Sequence, residues 1–324
     1  MKKTIVLLLL LPLLSAAQDK LINKPLRLIE TITSDTIKGS SKEIIFFYDH
    51  YNRVSSIVNR TWYLQEFGAS KTKQWVADTT AQQNFEYSDQ QKAPLLRRSI
   101  SYESSGKRKR SHWDKTELQY FKYENGKRVR DSVLVIQSAG KGKAALKESY
   151  ITTYEQTDST VTGVTNFSNS DGSEYYQGDL EFHKNVIAEE NAYHLRAHAG
   201  WIKNYTYTRF DDKINPFSQL NIASFLINEK IAFSFESAEL IKLSAKYENG
   251  GTEFNWHLMN QNNPLHSTIK RGDTESRFID VSSLHYTYDR NKFPVYCTIY
   301  IKNISSGGQF ANGYLKHFTF RYKK

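Results

Sequence analysis

The chain has 324 residues, a formal net charge of +10 and a mean hydropathy of −0.61, which excludes a bundle of membrane-crossing helices. It holds 21 Tyr and 18 Phe against 6 Pro and 2 Met, and aromatic residues suit a pleated, half-buried surface, so the composition points to alternating strands. The single Cys297 excludes an internal disulfide, and the excess of cations suits an anionic partner or serves solubility alone.

The first elements in chain order are those of a secretory leader. Lys2 and Lys3 precede an apolar run from Ile5 to Leu14, and Ser15-Ala16-Ala17-Gln18 follows. Basic residues, a short apolar run and small residues at the peptidase positions predict a signal peptide over 1–17, cut after Ala17. A transmembrane anchor would need roughly 20 apolar residues. The remainder, 18–324, reads as one β-rich domain, with two lobes meeting near 200 as the alternative.

From there, strand-like alternation recurs between turn signals at 49–52, Ser105-Gly106, Asn125-Gly126, Asp171-Gly172, 249–251 and 306–308. Short strands spaced by such turns predict an antiparallel meander, forming a long twisted sheet or an incomplete barrel. The sharpest hairpin runs from Leu118 to Ile136 about Asn125-Gly126, two residues that tolerate the positive φ of a type I′ turn. A simple register sets Glu124 opposite Lys127, Tyr123 opposite Arg128 and Phe121 opposite Arg130. One face then interleaves aromatics with guanidinium groups and is expected to meet water. The other, with Leu118, Tyr120, Val129, Val133 and Val135, is expected to pack. Helical periodicity is scarce, and only 186–199 and 218–227 predict short helices. Near the C-terminus, Cys297 shares a strand face with Val295, Ile299 and Ile301, and reads as a small buried hydrophobe. In the last strand Tyr314, Lys316, Phe318, Phe320 and Tyr322 share one face.

Chemistry-bearing clusters are few. His194 and His198, four apart behind Glu189-Glu190, lack the order of a zinc protease, and Ala192, Leu195 and Ala199 explain them as an amphipathic segment. Adjacent acids such as Asp211-Asp212 point to opposite faces of a strand or cap a turn, so neither pair makes the two facing carboxylates of a glycosidase. The basic run Lys107-Arg108-Lys109-Arg110, followed by His112 and Trp113, is the strongest charge feature. It reads as a charged hairpin tip that blocks edge-to-edge pairing, or as part of a binding face. The candidate ligand-binding set is Arg108, Arg110, Trp113, Phe121, Tyr123, Arg128 and Arg130. No catalytic residue, metal site or cofactor is expected.

One pattern repeats: aromatics at alternate positions, an Asp or Asn turn, then a returning strand. It occurs at Phe46 to Val54, Phe121 to Val129 and Tyr286 to Pro294, with a variant from Tyr205 to Phe217. These segments resemble the YD-repeat-like hairpins of uncharacterised secreted and surface proteins of Bacteroidota, a domain of unknown function. The likeness is best over about 205–301, where Asn260 to Pro264 is similar to that family's Asn-Asn-Pro turn. Thr208 stands where the family has Asp, and the lipoprotein cysteine is missing, which favours periplasmic residence over surface anchoring. The resemblance implies a β-sheet protein of the envelope with no activity to carry over.

The resulting expectation is a non-catalytic envelope binding or scaffolding protein, exported to the periplasm or cell surface and using an aromatic and basic sheet face. Its partners would be an anionic envelope glycan or lipid, or another envelope protein. Nucleic acid is not expected, nor is a membrane span after cleavage. The alternatives are a secreted glycan-active hydrolase and, ranked last because charges fall on both faces of many strands, an outer-membrane β-barrel.

Overall fold

The structure is a computed structural model; it describes residues 27–323 except 37–38, 69–70, 90, 104–111, 139–143, 170–171, 184–185, 195–200, 221–229, 236–239, 244–251, 272–277, 306–307 and 309. The leader, the basic run 107–110 and most of the loop 138–143 therefore lie outside the described residues.

The alternation resolves into strands. The first half of the chain supplies β1 (Ile29–Ser34), β2 (Ser40–Tyr48), β3 (Val54–Phe67), β4 (Thr72–Tyr87), β5 (Pro94–Glu103), β6 (His112–Glu124), β7 (Lys127–Ser138) and β8 (Ala144–Gln156). Then come β9 (Thr160–Asn169), β10 (Gly172–His183), β11 (Val186–His194) and β12 (Trp201–Phe210). After a 3₁₀ turn, Pro216–Gln219, follow β13 (Lys230–Phe235), β14 (Leu240–Leu243), β15 (Thr252–His257), β16 (Pro264–Arg271), β17 (Phe278–Tyr288), β18 (Pro294–Ser305) and β19 (Phe310–Tyr322).

Each strand from β1 to β12 pairs antiparallel with the next, β12 pairs with β16, and β16 to β19 continue in order. β19 then pairs with β1, Ile32 opposite Phe320 and Thr33 opposite Thr319. The ring is a closed barrel of 16 strands. The expected antiparallel meander is present, but closure corrects the open sheet or incomplete barrel: the edges meet, so no backbone row on β1 or β19 is left to cap. β11 and β12 pair with each other on either side of residue 200, inside the same ring. The segment 186–194, expected as helix, is strand β11, and the helix expected over 218–227 reduces to the end of the 3₁₀ turn, with 221–229 outside the described residues.

The turns at 49–53, 125–126 and 289–293 lie at one rim together with both ends of the ring, where Lys323 N–H donates to the Leu28 carbonyl at 2.8 Å. Asn125 and Gly126 take φ of 51° and 74°, as a type I′ turn demands. The Asp turns of the repeated motif share one construction. Asp49 Oδ1 accepts from Tyr51 and Arg53 N–H, each at 2.9 Å. Asp289 Oδ1 accepts from Asn291 at 2.8 Å and Phe293 at 3.0 Å. Asn52 and Lys292 supply the left-handed residue in the two turns, with φ of 58° and 67°. The carboxylate ties the chain back on itself, which is why Asp recurs there.

Side chains alternate across the wall. Phe46, Ile57, Phe85, Phe121, Leu284, Cys297, Ile299, Ile301, Phe318 and Phe320 point inward and are buried. Outward positions of β5 to β9 carry Leu96, Ile100, Leu118, Tyr120, Leu134, Ile151 and Val164, and those of β17 to β19 carry Ile279, Val281, Tyr300 and Leu315. On β2 to β4 the outward positions carry polar pairs instead, Trp62 Nε1 donating to Glu43 at 2.9 Å and Gln82 to Asn84 at 2.9 Å.

Candidate functional site: the lumen and its inserted segment

The chain between β12 and β16 leaves the wall at the turn rim and re-enters the barrel. Its two ends are strapped together. Asp211 N–H donates to the Asn263 carbonyl at 3.1 Å, and Asn263 N–H returns a bond to the Asp211 carboxylate at 3.1 Å. Tyr288 O–H also donates to Asp211. Asp211 thus serves as a turn cap. Its neighbour Asp212 is fully exposed, and the hydrogen bond and charge of Lys213 hold its carboxyl below the usual range.

Asn215 opens the 3₁₀ turn by accepting from Phe217 N–H at 3.0 Å, with Pro216 at the first position. That places Phe217, fully buried, against Phe46 of the wall and Trp256 of β15, with centroids 6.3 and 6.2 Å apart. β13 and β15 then form a separate antiparallel pair inside the ring, Ile231 opposite Trp256 and Phe233 opposite Phe254.

This hairpin is amphipathic across its two faces. On one face Trp256 meets Phe233, Phe254, Phe318 and Phe320 edge-on at 5.5, 5.2, 5.2 and 6.0 Å, and its Nε1 donates to Tyr286 O–H at 2.9 Å. Such edge contacts add about 0.5–1.5 kcal/mol per pair beyond area burial. On the other face His257 Nε2 lies 3.0 Å from Glu190 Oε2, and Lys230 Nζ donates to Glu190 Oε1 at 2.8 Å. Glu253 takes both Lys203 and Tyr205 of β12. Thr252 donates to Asp280 of β17 at 2.6 Å. The insert is therefore held by aromatic packing on β17 to β19 and by ion pairs on β11 and β12. Beside it, against Lys42, Ile44, Asn59 and Thr61 of the wall, a cavity of about 320 Å³ remains, bounded by Ala232 and Phe233.

The wall of β5 to β9 has a different interior. Arg97 lies 3.8 Å from Glu117, and Gln119 donates to Asp131 at 2.6 Å. Arg128 is 2% exposed and Asp131 is 1% exposed. Arg128 Nε donates to Asp131 at 2.8 Å, and its guanidinium lies between the rings of Phe121 and Tyr154 at 4.7 and 4.8 Å. Tyr154 O–H donates to Asp131 at 2.9 Å, and Thr152 bonds Thr165 at 2.8 Å.

Of the candidate ligand-binding residues, Phe121, Tyr123 and Arg128 come together on the inner wall. Arg130 falls on the outer face opposite Lys122. Trp113 sits in β6 opposite Tyr102, and Arg108 and Arg110 lie outside the described residues. The cause is a bulge: Tyr123 pairs with Arg128 but Lys122 with Arg130, so Val129 is the extra residue and Phe121 faces Asp131. The face expected to meet water is thereby spliced onto the packing face. This overturns the reading of the chain as a soluble binding or scaffolding protein using an aromatic and basic sheet face, because that surface is the inside of a closed ring and Arg128 is already paired. Closure also removes the ground for a mature chain that does not span a membrane, since closed barrels are one of the two architectures able to cross a bilayer.

Of the residues that anchor the insert, Glu190 was weighed with Glu189 as a carboxylate pair and set aside, and Lys203, Lys230, Glu253, Trp256 and His257 were not singled out by sequence. The available signal was the pair of Asn-Pro steps, Asn215-Pro216 and Asn263-Pro264, that bracket the insert. Among the described residues no group of three or more metal-ligating side chains assembles.

Geometry and pairing define a class: a closed antiparallel barrel with its lumen partly occupied by its own inserted hairpin. No family model matches the chain, and no curated protein does. Among solved structures, a porin-like protein from Bacteroides uniformis is similar at 11% identity, over 91% of this chain and 98% of its own, with a TM-score of 0.44. A porin-like protein from Bacteroides vulgatus is similar at 11% identity over 92% and 99%, with a TM-score of 0.46.

Proposed function

We propose that this chain is an outer-membrane β-barrel, delivered by a leader cleaved after Ala17 and carrying its own lumen insert. The observation that carries the reading is the ring itself: an even number of antiparallel strands, closed by β1 on β19, with the turns at 49–53, 125–126 and 289–293 and both ring ends at one rim. Even-numbered antiparallel barrels with short turns on one side are the form that bacterial outer-membrane proteins take. The aliphatic and aromatic outward positions of β5 to β9 and β17 to β19 supply lipid-compatible wall. The insert fits the same reading, because a wide ring would otherwise leave a water-filled channel.

Cell fractionation tests this. The protein is expected in the outer-membrane fraction, resistant to carbonate and urea washes, released by detergent, and migrating faster on gels before boiling than after. Recovery in the soluble periplasmic or culture fraction without detergent would sink the proposal.

A further inference from the structure

The outer wall of β10, β11, β12 and β16 carries a polar stripe that crosses all four strands. Tyr205, Tyr207 and Glu190 point inward to the insert, so their neighbours Asn204, Thr206, Glu189 and Asn191 point outward. There they form one hydrogen-bonded ladder. Asn204 Nδ2 donates to Glu189 and to Asn191, both at 2.7 Å, Asn191 donates to Glu189 at 2.9 Å, and Thr206 donates to Asn204 at 3.3 Å. On β10, Gln177 donates to Asp179 at 3.0 Å. Carboxylates and amides facing hydrocarbon are costly, so a wall that sits in lipid does not leave such a stripe bare.

The register arranges this stripe in rows. Asp179 is opposite Asn191, Asn191 opposite Asn204, and Asn204 opposite Lys270. One row therefore reads acid, amide, amide, base across four adjacent strands. A two-fold axis along the membrane normal, the only two-fold that keeps both copies in the same orientation, turns this order onto itself. The acidic end of one copy is brought toward the basic end of the other, and amides, which both donate and accept, meet amides at the centre.

We propose that the outward stripe on β10, β11, β12 and β16 is the interface with a second copy of this chain. The inference rests on the outer-membrane reading above, and the experiment separates the two. Asn191→Cys is treated in isolated outer membranes with a short bismaleimide cross-linker; Cys297, fully buried, contributes no background. Gln82→Cys, half a ring away on β4, is the control site. A dimer band at Asn191→Cys and none at Gln82→Cys is the expected result. Lys270→Glu should lower the yield about tenfold, and Asp179→Lys with Lys270→Glu should restore it. Monomer alone, in protein that is membrane-inserted and heat-modifiable, overturns the interface and leaves the barrel standing, as does a cross-link to a different protein. Protein recovered in the soluble fraction overturns both.

Discussion

On β17 to β19 the inward positions include Leu284, Cys297, Ile299, Ile301, Phe318 and Phe320, with Asp280, Ser282, Asn303 and Lys316 buried in the same rows; on β5 to β8 Arg97, Glu117, Gln119, Asp131 and Tyr150 stand beside Phe121, Val133 and Val135. Both stretches obey the same alternation, and both face the lumen. The first is greasy where Phe233 and Trp256 of the insert pack on it. The second pairs Asp131 with Arg128, Gln119 and Tyr154, and Arg97 with Glu117, within the wall. What lines a barrel is thus set by what the wall meets, and the alternation alone does not say which side of it will be dry.

Removing the insert's anchor probes this contrast most strongly. Trp256→Ala deletes four edge-on ring contacts and a bond to Tyr286. It should cost about 3–5 kcal/mol in denaturant unfolding from detergent, the range for a large buried aromatic. A loss under about 1 kcal/mol would mean that the hairpin does not pack on β19.

The polar wall should respond to loss of charge rather than of volume. Asp131→Ala strands the buried Arg128 and removes the acceptor used by Gln119 and Tyr154. A cost of about 3 kcal/mol is expected, because breaking one side of a buried pair leaves an uncompensated charge. Replacing Arg128 and Asp131 together, by Met and Leu, should recover most of it. If the double variant is as unstable as the single one, the pair does not act as a unit.

At the rim the effect is smallest and depends on pH. Burial works to raise the Asp49 carboxyl, but the Arg53 N–H, guanidinium and charge, with the Tyr51 N–H, outweigh it and hold the group below its ordinary 3.8. A carboxyl depressed in the folded state adds stability above its unfolded value and loses it as pH falls through the folded one. Asp49→Asn keeps the turn acceptor and loses the charge, so it should cost about 1 kcal/mol at neutral pH. Unfolding of the two proteins should begin to converge as the pH drops below the unfolded value near 3.8 and meet only below the lower, folded value. A gap that persists in acid would assign the effect to the turn's hydrogen bonds alone.

Several of these features were legible in the chain. Asn125-Gly126, the Asp turns at 49 and 289, and the burial of Cys297 follow from local rules of conformation and polarity. The bulge at Val129 carries no local signal, since a valine fits a regular strand as well, and one unforeseen residue moved Phe121 and Arg128 indoors. Glu189, Glu190 and His194 sit at spacings that serve a helix or a strand, and only pairing with β10 and β12 decides. Closure depends on Ile29–Ser34 finding residues 318–322 across the whole length of the chain. The outer-membrane alternative ranked low because charges fall on both faces, and Asp179, Glu189 and Lys270 do face outward.

Closure of the ring is the claim on which the rest stands, and a cross-strand staple tests it most directly. Thr33 and Thr319 are paired neighbours on β1 and β19. Thr33→Cys with Thr319→Cys should oxidise to an intramolecular disulfide in the folded protein and stay reduced in denaturant, while Thr33→Cys with Gln82→Cys should not form one. Free thiols in the folded Thr33–Thr319 variant would mean that the first and last strands stand apart, and that the barrel is open.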